Sequence, residues 1–119
     1  MHPLVRSWDG IEQDNPVPKL FRKRLKAERI MVARVELEPG CEVAQHSHEM
    51  EQVACVMSGR VLWRLGKPGT PEYHEVETVG GQVVELPSHF PHGVTAIERT
   101  LIFDILSPPG EMGVDSQGR

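Results

Sequence analysis

Prolines and glycines interrupt this chain at short, even intervals, and that spacing constrains its fold more than any other feature. Turn signals stand at Glu38-Pro39-Gly40, Ser58-Gly59, Lys67-Pro68-Gly69, Gly80-Gly81, Pro87 and Pro108-Pro109-Gly110. Between them lie short runs rich in β-branched and apolar residues, at 30–37, 52–57, 61–65, 83–86 and 101–106. Strand alternation is clear in one run, where Val61, Trp63 and Leu65 share a face opposite Arg60, Leu62 and Arg64. It is less regular in another, where Ile30, Val32 and Leu37 are set against Arg34 and Glu36. No segment carries a long amphipathic helical stripe with caps. Short, evenly spaced strands with ten prolines and eleven glycines predict an all-β sandwich or barrel rather than βαβ units.

A chain of 119 residues supports one domain, because two halves would each be too small to bury a core. Within it, residues 1–29 read as an N-terminal arm with edge strands, 30–107 as the barrel and 108–119 as a tail. Residues 111–119 are polar with two glycines, which predicts a loosely packed end. The net charge of −4 argues against nucleic-acid binding. One basic run, Phe-Arg-Lys-Arg-Leu-Lys at 21–26, is read as a solvated strand or turn surface rather than a phosphate patch. No apolar run reaches the roughly 20 residues that span a bilayer, and the first residues lack the apolar stretch of a secretory signal. The cytoplasm is the expected compartment, where Cys41 and Cys55 would stay reduced. Cys55 reads as a small buried hydrophobe and Cys41 as a turn residue. Both are weaker candidates for metal ligation than the histidines.

Two of the six histidines form His46-Ser47-His48. In a strand, positions i and i+2 point to one side, so both imidazoles can face one ion. Chance alone gives about 0.3 such pairs in a chain of this composition, so the pair by itself could be two surface histidines. The frame around it is more informative. The chain reads Gly40-x5-His46-x-His48-x3-Gln52-x6-Gly59, and later Gly81-x5-Pro87-x4-His92. Together these resemble the two motifs of the cupin superfamily, over roughly residues 30–107. The resemblance implies a double-stranded β-helix (jelly-roll) barrel in which His46, His48, Gln52 and His92 hold a divalent metal. Three imidazoles and one oxygen donor suit Zn, Mn, Fe, Ni or Co and leave positions open for water or substrate.

The chain departs from the family pattern at three places. Gln52 replaces the usual glutamate, His89 stands where a small residue is expected, and Ala96 where an asparagine is expected. The neutral amide leaves the site a formal charge of about +2, which strengthens Lewis acidity and disfavours oxidation of a bound Fe²⁺. That argues for non-redox chemistry. His89 could be a further ligand, a proton shuttle or a rim residue, the rim being preferred. His2 and His74 read as surface residues.

Within the cupins, residues 46–52 with Met57-Ser58-Gly59-Arg60, and residues 101–109, resemble the pectin-degradation cupins that linearise unsaturated uronates. This implies Lewis-acid hydration and ring opening, with Asp104 relaying protons. An aspartate between Phe103 and Ile105 is costly in an apolar strand unless it is hydrogen-bonded or functional. One mismatch stands against a uronate. Gly110 occupies the place of an arginine that could pair with a sugar carboxylate, and Arg60 and Arg64 lie on the face opposite Trp63. The expectations are therefore a metal-dependent enzyme on a small oxygenated substrate, a mononuclear iron dioxygenase, or a ligand-binding cupin with a structural metal. The family also suggests a homodimer; no membrane or nucleic-acid partner is expected.

Overall fold

The computed structural model describes residues 2–116. Its strands are β1 (Gln13–Asp14), β2 (Leu20–Lys26), β3 (Met31–Leu37), β4 (Glu42–His46) and β5 (Glu51–Ser58). They continue with β6 (Arg60–Leu65), β7 (His74–Val79), β8 (Val83–Leu86), β9 (His92–Ala96) and β10 (Thr100–Ser107). Six of these form one sheet in the order β1-β2-β3-β10-β5-β8, and four form a second in the order β4-β9-β6-β7. Every pairing is antiparallel. Among the described residues the helical content is two short 3₁₀ turns, Trp8–Gly10 and Gly113–Ser116.

The two sheets bury one core by strict alternation. On β3, Met31, Ala33, Val35 and Leu37 face inward while Val32, Arg34 and Glu36 face outward. This corrects the sequence reading, which grouped Ile30 and Val32 with Leu37. Ile30 is 43% exposed, and the inward set is the odd-numbered one. On β6, Val61, Trp63 and Leu65 are buried as expected. Leu37, Leu86 and Leu106 are almost wholly enclosed, and such burial stabilises by about 1.5–3 kcal/mol for each side chain. The β5–β6 turn depends on Gly59 at φ +93, where a Cβ would lie 2.3 Å from the Arg99 carbonyl oxygen.

Three further expectations change. Cys41 is the buried thiol and Cys55 the half-buried one, reversing the sequence assignment, because Cys55 sits on the outward parity of β5. Of the C-terminal residues read as loose, 111–116 are described, and Met112 and Val114 are buried. Their 3₁₀ turn packs against β4, so this stretch is part of the barrel rather than a frayed end. Residues 117–119 lie outside the described residues. Finally, Arg22 in the basic run is 2% exposed instead of solvated, since it shares the inward parity of Leu20.

Candidate metal centre

β4 and β9 bring the first histidines together. His46 ends β4, His92 opens β9, and the two are paired directly across the ladder. His48 follows two residues after His46. The three side chains place one ring nitrogen each within 4.8 Å of one another, so they could hold one metal ion. Their ring centroids are 4.5 Å apart for His46 and His92, 5.0 Å for His48 and His92, and 5.8 Å for His46 and His48.

The backbone sets the tautomer of all three. Nδ1 of His46 lies 2.9 Å from the Ala44 carbonyl, Nδ1 of His48 2.9 Å from that of Met50, and Nδ1 of His92 2.8 Å from that of Phe90. A carbonyl can only accept, so each Nδ1 carries the proton and each Nε2 keeps a lone pair. Anchoring the far nitrogen in this way is how metal-binding histidines are commonly oriented. His92 Nε2 is buried without a hydrogen-bond partner, a cost that a coordinated cation would remove.

Gln52, inward on β5, sharpens the fit. Its Nε2 donates to Asp104 Oδ1 at 2.9 Å, which turns its Oε1 toward His48 Nε2, also 2.9 Å away. In the neutral imidazole, with the Nδ1 proton of His48 committed to the Met50 carbonyl, these two facing atoms both present lone pairs. Such an approach is repulsive without a positive charge beside it, and a divalent ion supplies one. The donor set therefore suits a metal.

Burial favours the neutral form of His46 and His92. Burial lowers His92 to about 4, helped by neighbouring His46 and opposed by the Phe90 carbonyl. His46 is also lowered, first by burial and then by His48, against the pull of the Ala44 carbonyl. Asp104 moves the other way. Burial pushes its carboxyl up to about 7, against the hydrogen bond from Gln52 and the charge of Arg22. Small neighbours make room for it: Asp104 pairs with Ala33 on β3 and with Ala54 on β5.

His46, Gln52, His92 and Asp104 line one cavity of about 50 Å³, together with Trp63, Ile102, Met112 and Val114. His89 is not among its lining residues or in the histidine cluster. It lies exposed on the loop before β9 at φ +64, and its backbone N–H donates to the His48 carbonyl at 2.7 Å. Arg60, Arg64 and Arg99 are all outside the cavity, as the parity of Trp63 predicts for the first two. Arg60 faces Glu77 and Glu98, Arg64 donates to Thr95, and Arg99 faces Glu36 and Glu38.

Sequence reasoning missed Arg22, which lines the same cavity. Its Nε and Nη2 donate to the two oxygens of Asp14 at 3.0 and 2.8 Å, and Nη2 also meets Asp115 Oδ1 at 2.5 Å. Burial works against its charge, and the two aspartates more than restore it, so its pKa is raised. The available signal was parity with Leu20, blurred by Phe21 and Leu25 on the opposite face.

The two-sheet antiparallel architecture is one found in solved cupin structures. No protein-family model and no curated protein matches the sequence. Solved structures do match. An RmlC-like cupin from Shewanella frigidimarina superposes with TM-score 0.80 at 20% identity, over 92% of this chain and 95% of that one. KdgF from Halomonas sp. superposes with TM-score 0.74 at 23% identity, over 84% and 88%. Oxalate decarboxylase from Lactobacillus farciminis, in a formate complex, gives TM-score 0.76 at 13% identity, over 93% of this chain but only 36% of that one. The chain has the cupin fold.

Proposed function

We propose that this protein is a metal-dependent enzyme acting on a small oxygenated molecule, of the sugar-acid kind, by non-redox hydration, isomerisation or ring opening. The observation that carries the reading is the donor set: three Nε2 lone pairs and Gln52 Oε1 converge beside a buried acid. His46, His48, Gln52 and His92 would hold a divalent ion, with Zn, Mn, Fe, Ni and Co all suited to these donors. Such an ion supplies Lewis acidity toward a substrate carbonyl or hydroxyl, heightened by the absence of a charged ligand. The chain's own groups do the rest. Asp104 faces the cavity and is placed to take a proton on its carboxylate and return it. Gln52 Nε2 fixes Asp104 Oδ1 in that position. Trp63, Val94 and Ile102 give the cavity an apolar lining. His89 acts at the rim through its backbone hold on the His48 loop. The uronate substrate draws support from the sequence resemblance to the pectin-degradation cupins and from the fold-level similarity to KdgF.

The test is metal content after gentle purification, followed by incubation with unsaturated uronates and loss of their ultraviolet absorbance. Bound divalent metal and turnover are expected, both lost in His46→Ala and His92→Ala. Full metal retention in those two variants would overturn the site. A metal-loaded protein without turnover would remove the uronate chemistry. Oxygen consumption at catalytic rates by the iron form would establish a dioxygenase instead, and a zinc ion with no exchangeable position a binding protein. A homodimer and a cytoplasmic location belong to the same proposal. A monomer in sedimentation removes the first, and recovery of the protein outside the cytoplasmic fraction removes the second; no helix among the described residues is long and apolar enough to cross a membrane.

A further inference from the structure

We infer that Arg22 is the residue that recognises a substrate carboxylate, and that Asp115 holds the place of that carboxylate until substrate displaces it. The inference rests on the proposed small-molecule site and names the anion it selects. Arg22 is the arginine that lines the cavity with His46, His92 and Asp104, while Arg60, Arg64 and Arg99 are outside. Asp14 clamps one edge of its guanidinium through Nε and Nη2, which fixes the fork in space. The other edge is differently filled. Nη2 meets Asp115, and among the described residues Nη1 has only the Met112 sulfur at 3.7 Å, a weak acceptor. Both partners on that edge come from the C-terminal stretch, and a carboxylate already occupies part of it.

The cavity's size supports displacement. At about 50 Å³ it has room for a few waters, whereas sites for small organic ligands span roughly 300–1,000 Å³. Met112 and Val114 form one wall of it. Gly113 lies so close to His46 that a Cβ there would sit 2.0 Å from its ring. Moving this stretch outward enlarges the chamber and uncovers that edge of Arg22 in one step. An anion that replaces Asp115 on the fork stabilises the opened arrangement, and a neutral sugar does not.

The experiment follows Trp63 fluorescence in a Trp8→Phe background, Trp8 being stacked on Phe103 away from the cavity. The probes are D-galacturonate and its neutral counterpart D-galactose, at pH 8, with metal-free and zinc-loaded protein. Galacturonate is expected to bind at least about tenfold more tightly than galactose, the scale of one charge-assisted bidentate contact. Arg22→Gln should erase that preference. Asp115→Asn, which keeps the Arg22–Asp14 clamp, should tighten galacturonate binding about three- to tenfold. Hydrogen exchange at residues 112–115 should rise on adding galacturonate. No acid preference in either form, or no gain in Asp115→Asn, overturns the inference, and the second result is readable even if Arg22→Gln fails to fold. The metal-free arm separates this outcome from the metal reading, which the histidine variants decide.

Discussion

Gln52 holds two contacts at once, an amide N–H to Asp104 and an oxygen toward His48, and each constrains what can replace it. In Gln52→Glu the donor is lost and two buried carboxylates touch, so one of them must keep a proton. The metal-free variant should be about 1–3 kcal/mol less stable than wild type at pH 8, with most of the deficit recovered at pH 5. Its divalent-metal affinity by calorimetry should rise with the added charge. Asp104 has a pH signature of its own. Its carboxyl stands at about 7 through burial, against an ordinary value of 3.8. Between those values the folded, metal-free chain holds a proton that the unfolded chain has released, so this group's contribution grows as pH falls. His92 runs the other way: lowered from 6.5 to about 4 by burial, its contribution is complete above 6.5 and is lost as pH falls toward 4. Urea denaturation of wild type and Asp104→Asn isolates the first effect. The stability difference should shift in favour of wild type by on the order of 2 kcal/mol between pH 8 and pH 5. A difference that stays flat would show that Asp104 titrates normally.

At the scale of elements, the C-terminal 3₁₀ turn against β4 is the most informative. Gly113→Ala puts a methyl into the His46 ring, and the turn, held by fewer contacts than the strand, must be the part that moves. A loss of about 1–3 kcal/mol is expected, with faster hydrogen exchange at 112–115 and unchanged exchange in β10. Slowed exchange in the variant would contradict the packing. The turn should also tolerate mild acid. Burial alone would raise Asp115, but the hydrogen bond and charge of Arg22 outweigh it and hold the carboxyl below 3.8. Its contribution is therefore present above the ordinary carboxylate range and lost only as pH falls through the lower folded value. Exchange protection at 112–115, corrected for intrinsic rates, should be level from about pH 8 to pH 5 and collapse only below about pH 4.

For the whole molecule, β10 is the strand that joins the two halves of the larger sheet, since it pairs with β3 on one side and β5 on the other. Leu106, completely buried on that strand, should cost about 2–5 kcal/mol when cut to alanine, in one cooperative transition followed by Trp8 and Trp63. Because β10 joins strands far apart in sequence, refolding should take milliseconds to seconds rather than microseconds. A fluorescence transition that separates from the circular-dichroism transition would refute the single core. Much of this architecture was legible beforehand. The turn residues and the parity of Val61, Trp63 and Leu65 are local, because a backbone of period two decides them within a few residues. The histidine cluster was legible too, through the spacing of His46, His48 and His92, although its assembly needs β4 to lie beside β9. Three things were not local. Arg22 looked like part of a solvated basic run, Ile30 like a core residue, and residues 111–116 like a loose end. Each depends on which face another element covers, and a strand's own pattern is silent on that when apolar and charged residues occur at both parities. The sequence by itself located five of the ten strands, β3, β5, β6, β8 and β10, and singled out the candidate donors of a metal site. Only the tertiary structure decided that a distant arginine and the chain's C-terminal stretch close over them, because that burial is produced by packing between segments some ninety residues apart.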